Sequence, residues 1–224
     1  LRLASEHDEN VQRVIAHSHL GLAMLYHEMG DQEAAAQRLL KSEELGQRST
    51  LPDWPSLWCV AQAQLKEAGG DLEAALDLLD EAKRVYVRGA VPDIRPIEAL
   101  KARVYVRQGR LTKALAWVHK RGLLVNDELS YLREFEHVTL ARVLLARYKN
   151  DRTDGSIVEA IRFLDRLLKA AEEGGRIGSV IEILVLQALA HKAQGDISLA
   201  FAPLERALAL AGHPALGAMN RLRE

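Results

Sequence analysis

Residues 58–82 read WCVAQAQLKEAGGDLEAALDLLDEA, and this stretch decides the fold. Leu72, Leu76, Leu79 and Val85, with Ala75 and Ala82 between them, recur at helical spacing after the Gly69-Gly70-Asp71 break, and a second helical pattern precedes it. Gly70 supplies the left-handed conformation that ends a helix, and Asp71 supplies a side-chain oxygen that caps the next. Ala63 stands seven residues before Gly70 and Ala75 five after it. Small side chains at those two positions let two antiparallel helices cross closely. The stretch therefore predicts a helix, a tight turn and a returning helix.

The same mark recurs along the chain, as Gly30/Ala35, Gly70/Ala75, Gly109/Ala114, Gly155/Ala160 and Gly195/Ala200, at intervals of 40, 39, 46 and 40 residues. Three copies carry Gly-Asp at the turn, and Ala23, Ala63, Ala102 and Ala188 stand seven before the glycine. Junctions between pairs share the period. Leu51-Pro52-Asp53-Trp54-Pro55 and Val91-Pro92-Asp93-Ile94-Arg95-Pro96 start 40 residues apart, with Pro55 and Pro96 expected in the first helical turn and Asp nearby to cap it. The junction at 122–130 lacks Pro but holds Asn126 and Asp127. Ten helices follow, over roughly 11–29, 31–45, 53–68, 72–87, 93–107, 111–121, 130–147, 156–173, 177–193 and 196–211, with 1–10 ending an earlier helix and His213-Pro214 breaking the last. Val85-Tyr86-Val87 and Val104-Tyr105-Val106 look strand-like but end long helical patterns and are read as helix. Such pairs cannot bury their faces alone and stack into an all-α superhelical solenoid. Residues 1–224 are expected to form one repeat domain, a fragment of a longer chain.

Thirty basic and thirty-one acidic residues leave a formal charge of −1, so there is no bulk electrostatic case for nucleic acid or anionic membrane. One cysteine, Cys59, rules out an internal disulfide and every multi-Cys zinc motif, and points to the cytoplasm. The most apolar run, 179–190, contains Glu182 and Gln187, so no membrane span is expected.

No catalytic or cofactor motif emerges, and the chain is expected to be neither an enzyme nor a cofactor binder. Gly174-Gly175-Arg176-Ile177-Gly178 has neither the spacing nor the preceding strand of a dinucleotide fingerprint and reads as a helix-to-helix turn. His17, His19 and His27 lack metal-ligand spacing. Cys59 beside Trp58 reads as a buried, inert thiol.

Counting back from each turn glycine places His17, Met24, Gln64, Glu67, Arg103 and Glu182 toward the groove lined by the first helix of each pair. With Ala141 at the small position, the shifted fourth repeat adds Phe135 and Arg142. Arg103 and Arg142 offer planar forks of donors for a ligand carboxylate or phosphate, or for Glu in an adjacent repeat. The dense stretch 131–137, YLREFEH, reads as part of a ligand cradle or as inter-repeat packing.

The segments PDWP, WCVAQAQLKEAGGDLEAALDLLDEA, IRPIEALKARVYVRQGRLTKALAWV, LSYLREFEHVTLARVLLARY and GRIGSVIEILVLQALAHKAQGDISLAFAPLERALALA together carry a resemblance. They resemble the tetratricopeptide-like region of large ATP-dependent LuxR-type transcriptional regulators of the MalT type, while residues 11–45 match only the generic repeat pattern. The resemblance implies a right-handed solenoid of about five tetratricopeptide-like pairs. It implies a sensor and assembly arm that binds a small-molecule inducer or a regulatory protein, with self-association as a further consequence. An NTPase module and a helix-turn-helix flank such regions; neither motif occurs in these 224 residues, so no ATP hydrolysis and no nucleic-acid binding are expected of them. The alternative is a free-standing tetratricopeptide scaffold that holds a peptide or helix of another protein.

Overall fold

The computed structural model describes residues 2–46, 51–88, 92–151 and 154–212, and side chains from residue 11 onward except 154–155. Among these residues there are ten α-helices and no strand: α1 Arg2–Glu28, α2 Gln32–Gly46, α3 Trp54–Ala68, α4 Leu72–Arg84, α5 Ile97–Arg107, α6 Leu111–Arg121, α7 Glu134–Asp151, α8 Asp154–Glu173, α9 Ile177–Gln194 and α10 Ile197–Ala211. A 3₁₀ turn, Tyr131–Arg133, precedes α7. The helices fall into two compact units, Leu1–Pro92 and Asp93–Glu224.

Both units are built from the predicted hairpins. Gly30, Gly70, Gly109 and Gly195 all have positive φ, between 72° and 94°. At each, the following N–H reaches back five residues, as in Asp71 N to the Lys66 carbonyl at 2.9 Å, which closes the helix end. Asp31, Asp71 and Asp196 then accept from the backbone N–H of Ala34, Ala74 and Leu199. The paired alanines, Ala23 with Ala35, Ala63 with Ala75, and Ala102 with Ala114, are all buried, as a close crossing requires. Ala141 and Ala160 are buried too, which supports the register assumed for the shifted repeat.

Several boundaries differ from expectation, each for a local reason. Residues 2–10 continue α1 rather than ending an earlier helix. Asp53 takes the N-cap position of α3 without a side-chain cap bond and faces His17 instead, at 3.5 Å. α4 stops at Arg84, so Val85-Tyr86-Val87 is not helical; the 85 and 86 N–H groups close the end on Glu81 and Lys83 carbonyls. α5 starts at Ile97, because Pro96 takes an extended ψ of 137° at the cap and pushes Arg95 out of the helical region, while Asp93 accepts from Arg95 N. Gly155 lies inside α8 rather than at a turn, so its place in the repeat pattern is corrected. The extra residues of the 46-residue interval are expected around 149–155 and the 122–130 junction; residues 152–153, like the break at His213-Pro214, lie outside the described residues.

In the first unit, Ala16, Leu20, Ala23, Leu39, Trp54 and Ala61 form the core, and Trp54 stacks on Trp58. Trp54 Nε1 donates to Ser42 Oγ, which donates to the Ala16 carbonyl, so one hydroxyl ties α1, α2 and α3 together. Gly46 lies against the Trp54 indole, where an added Cβ would meet ring atoms at 2.3 Å. Gly46→Ala is expected to destabilise the chain by about 2 kcal/mol through forced repacking of Trp54. Thermal unfolding checks this, and an unshifted midpoint contradicts the packing.

The second unit is built around Phe163, Leu164, Leu167, Ile183 and Leu184, all nearly inaccessible to water. Ile157 of α8 is 1% exposed, while Ile197, one 40-residue step later on α10, is 61% exposed. The apolar face that α8 buries is thus open on α10, where Phe201 and Leu204 are also exposed.

Candidate functional site

Arg103 on α5, Arg142 on α7 and Glu182 on α9 belong to the first helices of three successive pairs, and their side chains meet. Arg142 reaches Glu182 Oε1 through both Nε and Nη2, each at 3.0 Å. Arg103 Nη2 lies 3.0 Å from the same oxygen. Arg103 Nε donates to Thr139 Oγ1 at 2.9 Å, and that hydroxyl donates to the Phe135 carbonyl. The Arg103 guanidinium lies 3.7 Å from the Phe135 ring centroid, with Arg95 near the same ring at 5.7 Å.

Four of the eight residues placed toward the groove, Arg103, Phe135, Arg142 and Glu182, therefore form one cluster. Burial is the main cause of a lowered Arg103 pKa, about 10, with repulsion from Arg142 adding to it and attraction by Glu182 opposing it. Burial alone would raise the Glu182 carboxyl; the two guanidiniums outweigh that and hold it below its ordinary range. The cluster stays partly open: side-chain exposure is 17% for Arg103, 34% for Arg142 and 28% for Glu182.

Gln64 and Glu67 lie on α3 in the first unit, both half-buried, as are His17 and Met24 on α1. No group of three or more His, Cys, Asp or Glu able to hold a metal occurs among the described residues. Cys59 is buried, and burial with the nearby Glu81 pushes its thiol pKa up, which suits an unreactive packing role.

Most of the polar stretch before and within α7 holds helices together. Glu134 receives Arg176 Nε at 2.6 Å and Ser179 Oγ at 2.5 Å, linking α7 to the start of α9. Glu136, 2% exposed, receives Arg121 Nε at 2.7 Å and lies 3.6 Å from Arg133. His137 is fully buried and donates from Nε2 to Asp127 at 3.3 Å, which fixes the tautomer because a carboxylate only accepts. Arg166 Nη2 donates to the Asp127 carbonyl at 2.8 Å and pins the same junction. No sequence signal marked Glu134, Glu136 or His137 individually as buried.

Burial holds His137 below its ordinary 6.5; the bond to Asp127 works against this, and nearby Arg133 reinforces it. The unfolded chain therefore takes up this proton at higher pH than the folded one, so the stability His137 confers is present above about 6.5 and is lost as pH falls below it. Thermal melts from pH 7.5 to 5.5 are expected to show a falling midpoint, shallower in His137→Gln. Equal slopes for both chains would contradict this.

These features define an all-α protein of tetratricopeptide-like helix hairpins, with a charged cluster where its first helices converge. Residues 1–214 match the MalT-like TPR region, and the chain belongs to that family. Two solved structures share the fold. BtubC (BKLC) from P. vanneervenii is 16% identical, with a TM-score of 0.55 over 98% of this chain and 86% of its own. A Podosopora anserina protein described as a kinesin light chain with nearly identical TPR-like repeats is 19% identical, with a TM-score of 0.50 over 87% and 93%. No curated protein sequence matches the chain.

Proposed function

We propose that this chain is the sensor and assembly region of a LuxR-type, MalT-like transcriptional regulator. It is a non-catalytic cytoplasmic module that binds an inducer or a regulatory protein and passes the event to NTPase and DNA-binding modules elsewhere in the polypeptide. The observation that carries this reading is the family match over residues 1–214. The absence of any helix long and apolar enough to cross a membrane, among the described residues, accords with it. Ligand binding would favour one arrangement of the first helices over another, and that differential affinity is the signal. The cluster of Arg103, Phe135, Arg142 and Glu182 is where binding would alter contacts among three helices at once.

The coding sequence on either side of these residues tests the reading. A Gly-x-x-x-x-Gly-Lys-Ser/Thr loop upstream and a helix-turn-helix downstream are expected. An open reading frame with neither would overturn the regulator assignment and favour a free-standing scaffold.

A further inference from the structure

We propose that Arg103 and Arg142 form a receptor for a ligand carboxylate, which Glu182 occupies as an internal stand-in until the ligand displaces it. This deepens the sensing role proposed above and names the chemistry of what is sensed.

Three observations carry it. First, the charge in this cluster is unbalanced. In the neighbouring ion pairs guanidiniums and carboxylates match in number: Arg176 with Glu134, and Arg121 and Arg133 with Glu136 and Asp127. Here two guanidiniums converge on one carboxylate, and every contact falls on its Oε1. Second, hydrogen-bond donors outnumber acceptors. Arg103 Nη2 and Arg142 Nε and Nη2 all crowd one oxygen, Glu182 Oε1, each at 3.0 Å. A carboxylate placed with both oxygens between the two forks would share these donors between two acceptors, as planar guanidiniums favour. Third, Arg103 does not depend on Glu182 for its position. Thr139 holds its Nε and the Phe135 ring lies under its plane, so the receptor persists when Glu182 swings away. The exposed parts of Arg142 and Glu182 give a ligand its way in.

Displacement has a structural consequence. The Arg103–Glu182 pair ties α5 to α9 past the intervening α7. A ligand carboxylate that takes both arginines leaves Glu182 outside the cluster and releases that tie. Binding and the spacing of the first helices are then coupled in one exchange.

Calorimetric titration with succinate, and with its uncharged dimethyl ester, tests the proposal on the 224-residue chain. Succinate is expected to bind and the ester not. Glu182→Gln removes the competitor and should tighten succinate binding about tenfold, while Arg142→Gln should weaken it by about as much. Unchanged or weaker binding in a folded Glu182→Gln, or equal binding of acid and ester, overturns the proposal. If Glu182→Gln does not fold, the wild-type chain decides by NMR. Succinate at about 10 mM should move the side-chain Nε–H resonances of Arg103 and Arg142, and unmoved resonances overturn the proposal. A pentapeptide with a free C-terminal carboxylate, compared with its amide, separates the sources. Tighter binding than succinate, lost on amidation, assigns the carboxylate to a partner protein; weaker binding assigns it to a free organic acid. The flanking coding sequence is an independent result, so failure here leaves the regulator reading standing, and the reverse also holds.

Discussion

Phe163→Ala is expected to lower the stability of the second unit by about 4 kcal/mol. Phe163 is 1% exposed, and its ring meets the His137 imidazole edge-on at 6.0 Å between centroids. It sits among Leu164, Leu167, Ile183 and Leu184, side chains of two helices that interlock around it. Truncation removes a large buried apolar surface and leaves a cavity that helices pinned by ion pairs cannot close. Urea unfolding followed by circular dichroism should show the midpoint falling with little change in slope. Phe135→Ala is the useful contrast. That ring is only half-buried, so its loss should cost about 1 kcal/mol in stability while freeing the Arg103 guanidinium. Equal destabilisation by the two substitutions would contradict the packing described.

Arg176→Ala should cost about 3 kcal/mol, more than an exposed ion pair would. Glu134 is buried, and Arg176 supplies both of the nitrogens that meet its Oε2, each at 2.6 Å. Without the guanidinium, a buried carboxylate keeps only the Ser179 hydroxyl. The double variant Arg176→Met with Glu134→Gln removes the stranded charge and is expected to recover about half or more of the loss. Chemical denaturation of the single and double variants measures this. A double variant as unstable as the sum of its parts would show that the pair does not work as a unit.

The hairpin architecture was legible because its signals are local. A left-handed glycine, an Asp that caps the next helix and alanines at the crossing all act within about a dozen residues, and Gly70-Asp71 with Ala63 and Ala75 illustrates them together. Gly155 misled because spacing alone identified it. Its backbone is helical as the second residue of α8, and a glycine marks a turn only where the chain needs positive φ. Val85-Tyr86-Val87 misled because helical periodicity does not mark the residue at which packing against the next helix ceases. The site was legible in part. Arg103 and Arg142 each follow a buried crossing alanine, Ala102 and Ala141, so register placed them together. That both would converge on one oxygen of Glu182 depends on how three helices pack and could not be counted along the chain. The burial of Glu134 was hidden for the same reason, since its partner Arg176 lies 42 residues away.

The central claim is that the first helices of three successive pairs meet through Arg103, Arg142 and Glu182. A double-mutant cycle between Arg103→Met and Glu182→Gln, read by urea unfolding, tests it most directly. Residues on α5 and α9 in contact across α7 should be coupled by about 1 kcal/mol or more. Effects that add to within about 0.3 kcal/mol would place the two side chains apart and contradict the account.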